Sequence, residues 1–217
     1  MNTRDLRNIV DWQVEQLRKL GVEVHVETEV TAELVEKEKP DVVILATGSR
    51  PRVPQAPGAD EGRFLLLDDY LGGKRDVGRR IVVVGGGYGL ETAVSLGREG
   101  KEVTVVEESA AVGQAPYLSA RRVGILSGYA REGKVRVLTQ TRVIGMDRSG
   151  VLVADKDGKE THIEADTVIV ALDRVPENTL VEQLRGKVPE VYEVGDCVEP
   201  LHIMNAVHSA NRVARLI

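Results

Sequence analysis

One segment near the middle of this 217-residue chain constrains its fold more than any other. It begins with an apolar run, Ile81–Val84, and continues through a glycine-rich turn, Gly85–Gly89, into a helical pattern that ends at Gly100. A second apolar run, Val103–Val106, follows and leads directly to Glu107. This order predicts a βαβ unit with two parallel strands. Because both runs are apolar throughout, we expect the sheet to be covered on both faces.

The glycine-rich turn is typical of a dinucleotide-binding unit. Glycines at such a turn let the chain bend tightly and let its backbone approach a pyrophosphate, while the helix N-terminus offers N–H groups and partial positive charge. The turn follows a strand, opens a helix and precedes a second strand that ends in an acid, which is the context that the motif requires. The residues leave open an alternative, which is an ordinary α/β turn without a ligand.

Glu107 lies 20 residues after Gly87. A carboxylate at this position can accept hydrogen bonds from a ribose diol. It would also repel the 2′-phosphate of NADP, since two unit charges ~4 Å apart interact by ~4 kcal/mol at an effective dielectric constant of ~20. The sequence therefore favours NAD(H) over NADP as the cofactor.

Apolar periodicity predicts the remaining elements. Helices are expected at 4–20, 32–37, 119–132, 177–184 and 202–217, and strands at 22–26, 42–46, 135–138, 166–172 and 191–194. The segments 142–147, 151–155 and 161–164 predict an antiparallel meander with a hairpin turn at Asp157-Gly158. We also expect Trp12 to pack the first helix against a sheet.

Composition argues against several classes of function. The single cysteine, Cys197, excludes an internal disulfide framework and a four-cysteine iron–sulfur or zinc site, and we expect it to be a buried structural thiol. A formal net charge of −5 without a basic stripe argues against nucleic acid and membranes as partners. The sequence predicts no signal peptide and no apolar run near the ~18 residues that span a bilayer. We therefore expect a soluble, cytoplasmic protein.

Four motifs follow one another along nearly the whole chain. They are Lys-Pro-Asp-Val-Val-Ile-Leu-Ala-Thr-Gly-Ser-Arg-Pro at 39–51, Ile-Val-Val-Val-Gly-Gly-Gly-Tyr-Gly-Leu-Glu-Thr-Ala at 81–93, Ala-Asp-Thr-Val-Ile-Val-Ala-Leu at 165–172 with Pro-Glu-Asn at 176–178, and Val-Tyr-Glu-Val-Gly-Asp-Cys-Val-Glu-Pro at 191–200. In this order they resemble the C-terminal half of the NADH:flavin oxidoreductases, the group that contains 2,4-dienoyl-CoA reductase, enoate reductase and trimethylamine dehydrogenase.

The resemblance implies an α/β fold with Rossmann-like parallel sheets. An NAD(H)-binding domain at 76–173 would be inserted into an FAD-binding domain formed by 1–75 and 174–217. Hydride would pass from the nicotinamide to the flavin, so no catalytic side chain and no metal site are expected. The cofactor-binding residues that the resemblance implies are Gly85, Gly86, Gly87, Tyr88 and Gly89 at the pyrophosphate, Glu107 at the adenosine ribose, Glu91 near the nicotinamide, and Ala46, Thr47, Gly48, Gly195 and Asp196 along the FAD.

The chain also departs from the family pattern. One residue fewer separates Gly87 from Gly89 than in the usual Gly-Gly-Gly-x-x-Gly-x-Glu pattern, and Asp173 stands where the family usually has glycine. The resemblance implies that a TIM barrel and the first FAD-binding βαβ unit of the same protein lie outside this chain and are its partners. We therefore expect the isolated chain to hold FAD weakly or not at all.

Two other functions stay open at this point. One is a stand-alone NADH oxidase or a ferredoxin-reductase-like enzyme. The other is a non-catalytic nucleotide-binding or interaction module, which the shortened turn allows.

Overall fold

A five-stranded parallel sheet organises the middle of the chain in the computed structural model, which describes residues 3–59, 64–113, 119–133 and 135–217. The helices are α1 (Thr3–Lys19), α2 (Ala32–Glu38), α3 (Leu67–Leu71), α4 (Gly89–Arg98), α5 (Ala120–Glu132), α6 (Thr179–Leu184) and α7 (Ile203–Ala214). The strands are β1 (Val42–Leu45), β2 (Ser49–Pro51), β3 (Leu65–Leu66), β4 (Arg80–Val84), β5 (Glu102–Val106), β6 (Arg136–Leu138), β7 (Thr141–Asp147), β8 (Gly150–Asp155), β9 (Glu160–Glu164), β10 (Thr167–Val170), β11 (Arg174–Pro176) and β12 (Glu190–Glu193).

The central sheet has the strand order β3-β10-β4-β5-β6. β4 lies between β10 and β5 and pairs with both in parallel, with Val83 opposite Ile169 on one side and Val105 on the other. The predicted βαβ unit is therefore confirmed, and with it the α/β fold class. β3 joins this sheet through its pairing with β10, although the domain bounds that the resemblance implies put residues 1–75 in the FAD-binding domain.

An antiparallel meander of β7, β8 and β9 lies along the chain between β6 and β10 of the central sheet. The chain reverses between β8 and β9 at Asp157-Gly158, where Gly158 has a φ of +79°. A glycine adopts this conformation without steric cost, which is why Asp-Gly is a strong hairpin signal. The meander and its turn are confirmed.

Both faces of the central sheet are covered, as its apolar strands predict. On one face Val83 packs with Leu90 and Leu96 of α4. On the other face Val82 packs in a second cluster with Val151 of the meander. Since consecutive residues of a strand point to opposite faces, a strand covered on both sides is apolar at every position.

A second, smaller unit is built on the parallel pair of β1 and β12. Leu45 of β1 packs with buried residues of α2 and α6, among them Val35 and Leu184. Cys197 follows β12 and is fully buried. Its Sγ lies within hydrogen-bond distance of the carbonyl oxygens of Leu45 (3.2 Å) and Val194 (3.1 Å), so the expected buried thiol is confirmed.

Two expectations about the first thirty residues are wrong. The segment 22–26 has no regular structure and pairs with no strand of the described chain. Trp12 on α1 is 63% exposed rather than packed against a sheet. An amphipathic pattern shows that a helix has an apolar face, but it does not show what covers that face.

None of the helices in the described ranges is both long and apolar enough to cross a lipid bilayer.

Asp166 ties the residue before β10 to the start of β4. Its carboxylate accepts hydrogen bonds from the backbone N–H groups of Arg79 (3.1 Å) and Arg80 (2.9 Å), and from Nη2 of Arg80 (2.8 Å). These donors, with the Arg80 side chain first, lower the pKa of Asp166 to about 2, because they stabilise the charged form.

We expect Asp166→Asn to lower the free energy of unfolding at neutral pH, and the difference from wild type to vanish in acid. A carboxyl group whose pKa is lower in the folded state stabilises that state above its unfolded pKa of roughly 3.9. The contribution is lost as the pH falls through the folded value of about 2. Urea unfolding between about pH 7 and about pH 2 measures the difference. Asp11→Asn on α1 is the control, and a difference that persists unchanged at the lowest pH would contradict the charge argument.

Candidate dinucleotide-binding site

A cleft of about 580 Å³ opens at the carboxyl ends of β4, β5 and β10. Gly85 and Gly87 of the turn, Glu107 after β5, Asp173 after Leu172, and Arg142 of β7 are among the residues that line it. Ligands of open α/β sheets bind at this edge, outside the carboxyl ends of the strands. The glycine turn and Glu107 therefore lie in the walls of one cleft.

The glycine turn fits so closely against its surroundings that side chains are excluded. Gly85 has a φ of +104°, and a Cβ there would lie 2.4 Å from the carbonyl oxygen of Ala171. A Cβ on Gly89 would lie 2.5 Å from Cγ1 of Val83. Both glycines are thus required by the strand–turn–helix path itself, before any ligand is considered.

Glu107 is held against the glycine turn by backbone hydrogen bonds. Its Oε2 accepts from the N–H of Gly86 (2.6 Å), and its Oε1 accepts from the N–H of Ser109 (2.8 Å). An ionised carboxylate has about four acceptor positions, so these two bonds leave capacity for ribose hydroxyls. The role of Glu107 in holding a ribose stays a prediction, but its carboxylate is fixed at the wall of the cleft.

Helix α4 begins at Gly89, directly after the turn. Within the described residues Tyr88 gives its first turn no side-chain cap. Helix N-termini of this kind bind phosphate through their N–H groups and partial positive charge. Although the turn is one residue shorter than the family pattern, β4 and α4 keep the order that a pyrophosphate site requires.

Glu91 lies in the first turn of α4 and forms an ion pair with Arg122 of α5. Both residues line a second cavity, of about 680 Å³, together with Tyr88, His202 and Ile203. This cavity lies between the central-sheet unit and the start of α7, a helix of the smaller unit. The walls of this cavity therefore come from both units, and the place of Glu91 near a nicotinamide stays a prediction.

The remaining expected cofactor residues lie at the carboxyl edge of the β1–β12 pair. They are Ala46, Thr47 and Gly48 after β1, and Gly195 and Asp196 after β12. Because β1 and β12 are parallel neighbours, the loops that follow them leave from the same edge. Gly48 and Gly195 have φ values of +74° and +72°, and the Thr47 hydroxyl donates to the carbonyl oxygen of Glu177.

Sequence reasoning missed the arginines around these sites. Three arginines line the cleft at the central sheet: Arg50, Arg52 and Arg142. A fourth, Arg174, donates hydrogen bonds to Ser49 of β2 and Asp68 of α3. Each is a single charged residue in a loop or at one position of a strand. No local pattern therefore distinguishes it from an ordinary solvated arginine.

The meander also brings together Asp147, Ser149 and His162. Nε2 of His162 lies 3.3 Å from Oγ of Ser149 and 3.1 Å from Oδ2 of Asp147. In a Ser-His-Asp relay the histidine uses one ring nitrogen for the serine and the other for the acid, so this arrangement is not a catalytic triad. Hydrogen bonds from the Ser149 side chain and backbone lower the pKa of Asp147 to about 2 and order the β7–β8 turn.

A parallel sheet with a glycine turn and a fixed acid at its carboxyl edge defines the class of dinucleotide-binding α/β proteins. Residues 33–212 match the family model of the pyridine nucleotide-disulphide oxidoreductases, and the chain belongs to this family. Membership implies FAD and NAD(P)H as cofactors.

The similar proteins are reductases and oxidases of greater length. Cinnamate reductase from Clostridium sporogenes is 32% identical over 98% of this chain, and NADH oxidase from Thermoanaerobacter brockii is 34% identical over 94% of it. A solved complex of 2-naphthoyl-CoA reductase with 2-naphthoyl-CoA matches with a TM-score of 0.85 at 28% identity, over 99% of this chain and 32% of that one. The chain spans 32% of the length of both relatives as well.

The geometry of the two carboxyl edges fits the implied cofactors. At the larger sheet, a Cβ on Gly86 would lie 2.7 Å from Val112 Cγ1 and 3.0 Å from Glu107 Oε2, so Gly86 has no room for a side chain. Gly85 and Gly87, on either side of it, present bare backbone to the cleft. At the smaller sheet, Gly48 and Gly195 adopt conformations that let backbone approach a ligand closely. These residues would bind and orient the cofactors.

We expect Gly85→Ala to destabilise the chain by more than ~2 kcal/mol and to abolish dinucleotide binding. The added methyl group would clash with the Ala171 carbonyl oxygen in a backbone conformation that alanine rarely adopts. Gly124→Ala on α5 is the matched control, because its Cβ would meet open space; it should stabilise the helix by ~0.5–1 kcal/mol. Thermal unfolding and calorimetric NADH titration measure both effects, and equal behaviour of the two variants would refute the close approach.

Proposed function

We propose that this chain is the NADH-accepting, FAD-associated part of a flavin-dependent oxidoreductase. The observation that carries the proposal is the hydrogen bond between the Gly86 N–H and the Glu107 carboxylate, which joins the pyrophosphate turn and the ribose acid in one cleft wall. When bound, the nicotinamide supplies a hydride that the flavin accepts. The residues of this chain bind and orient the two cofactors.

Each residue group has one role in the proposed mechanism. The Gly85–Gly89 turn and the N-terminus of α4 hold the pyrophosphate. Glu107 accepts hydrogen bonds from the adenosine ribose and repels a 2′-phosphate, which makes NAD(H) the preferred cofactor. Glu91, fixed by Arg122, lies near the nicotinamide.

The smaller unit takes the flavin in this proposal. Ala46, Thr47 and Gly48 lie along the FAD, and the Gly195-Asp196 turn meets its ribityl or phosphate portion. We propose that the chain alone binds FAD weakly, since its described flavin side is a two-stranded sheet and α1 leaves Trp12 exposed. Tight FAD binding then requires a further FAD-binding segment of the same protein.

The acceptor belongs, in this proposal, to another part of the same protein, a TIM barrel that receives electrons from the flavin. The similar proteins are about three times as long as this chain, which leaves room for such a part. We place the protein in the cytoplasm, with no nucleic-acid or membrane partner, in keeping with its net charge of −5.

We expect Glu107→Gln to weaken NADH binding about tenfold and to narrow the preference for NADH over NADPH. The amide cannot accept from both the Gly86 N–H and the Ser109 N–H, and it no longer repels a 2′-phosphate. Calorimetric titration of both nucleotides into the full chain measures the change. Glu132→Gln at the end of α5 is the control, and equal affinity of the wild-type chain for NADPH would refute the role of Glu107.

Electron transfer to an artificial acceptor tests the function of the isolated chain. We expect slow NADH oxidation that rises with added FAD up to high micromolar concentrations, because the flavin site is weak. Activity that is independent of added FAD, with flavin retained during purification, would favour a stand-alone NADH oxidase or ferredoxin-reductase-like enzyme. NADH binding without turnover at any FAD concentration would favour a non-catalytic binding module.

A further inference from the structure

Arg174 forms hydrogen bonds in two directions. Its Nε donates to Oγ of Ser49 (2.8 Å), and its Nη2 donates to the carbonyl oxygen of Ser49 (2.6 Å). Its Nη1 donates to Oδ2 of Asp68 (2.7 Å). The side chain is only 26% exposed, and three bonds from one planar guanidinium fix its orientation.

The two partners of Arg174 belong to different parts of the fold. Asp68 lies in the first turn of α3, whose Leu67 and Tyr70 pack against the core of the central sheet. Ser49 lies on β2, which pairs with β11 as an antiparallel ribbon. We call β2 and β11 the connecting ribbon, because β2 follows the β1 loop of the smaller unit and β11 follows β10 of the central sheet.

Ser49 also contacts Asp196, which the proposed function places along the FAD. Its hydroxyl accepts from Arg174 and lies 3.3 Å from Oδ2 of Asp196. A hydroxyl has one proton to donate, and since Arg174 occupies an acceptor position, that proton is directed to Asp196. A continuous series of polar contacts therefore runs from Asp68 through Arg174 and Ser49 to Asp196.

We propose that Arg174 is a positioning residue that orients the Asp196 carboxylate for the flavin and couples it to the central-sheet unit. The proposal rests on the proposed function, which places Asp196 along the FAD. Arg174 acts through Ser49, which receives two of its three hydrogen bonds, the third going to Asp68.

Asp68 is the point at which this series of contacts meets the central-sheet unit. Arg174 and Ser49 both lie on the connecting ribbon, whereas Asp68 lies on α3. The bond from Nη1 of Arg174 to Asp68 therefore ties the guanidinium to the central-sheet unit, while its Nε and Nη2 hold Ser49.

Hydrogen exchange of the ligand-free full chain, followed by mass spectrometry, tests the positioning. The reporter is the turn at 195–199, where the N–H groups of Val198 and Glu199 both donate to the carbonyl oxygen of Gly195. We expect exchange here to be about three- to tenfold faster in Arg174→Met and in Ser49→Ala. Arg174→Lys should not restore protection, because one ammonium group cannot replace the planar fork.

Two further variants separate local from general effects. Asp68→Asn should speed exchange at 67–73 more than at 195–199, because it removes the charge from, and so weakens, only the bond between Arg174 and α3. Arg185→Met, which removes an exposed ion pair with Glu182, should leave both regions unchanged. Ser49→Ala should leave 67–73 unchanged, which distinguishes loss of positioning from destabilisation of the whole chain.

Fluorescence titration with FAD provides the functional readout. We expect Arg174→Met to weaken FAD binding about tenfold and Ser49→Ala to weaken it less, with NADH affinity unchanged in both. Wild-type exchange at 195–199 and unchanged FAD affinity in Arg174→Met would overturn the proposal. Failure of the wild-type chain to bind NADH would instead overturn the proposed function, and if FAD binding is too weak to titrate, the exchange data alone decide whether Arg174 orders the Asp196 turn.

Discussion

The close approach of the glycine turn to the end of β10 is the constraint on which the rest of the structure depends. The Gly85 N–H donates to the carbonyl oxygen of Val106, and the Ala171 N–H donates to that of Val84, both at 2.8 Å. These two hydrogen bonds align the carboxyl ends of β10, β4 and β5 at the edge where the turn begins. A side chain at Gly85 would separate these strands. Both the cleft and the buried sheet beneath it therefore require a glycine at this position.

Much of the fold could be predicted because its signals are short in range. Burial on both faces makes β4 apolar from Ile81 to Val84, and a helical period follows it directly after the glycine turn. The hairpin turn at Asp157-Gly158 and the cap of α2 by Thr31, whose Oγ1 accepts from the Leu34 N–H at 3.3 Å, also depend only on neighbouring residues. For the same reason the sequence predicts that Glu107 directly follows β5. It does not predict the hydrogen bond between Glu107 and the Gly86 N–H.

The parts that could not be predicted depend on partners far along the chain. Arg174 lies 106 residues from Asp68 and 125 from Ser49, and no periodicity connects such positions. The apolar face of α1 was predicted correctly, but the surface expected to cover Trp12 was not, because amphipathicity carries no information about the partner. The strand predicted at 22–26 is wrong for the same reason, because a β-type composition forms a strand only where another strand offers hydrogen bonds.

The fixed position of Glu107 connects the backbone of the turn to the choice of nucleotide. A carboxylate on a free side chain could swing away from a 2′-phosphate and lose most of its discrimination. Here Gly86 and Ser109 hold both oxygens, so moving the charge would break two hydrogen bonds to backbone N–H groups. At ~4 Å and an effective dielectric constant of ~20, the repulsion of a phosphate would reach ~4 kcal/mol. Arg50, Arg52 and Arg142 line the same cleft, and a cation attracts a phosphate, so in the proposed site the preference for NADH depends on the balance between Glu107 and these arginines.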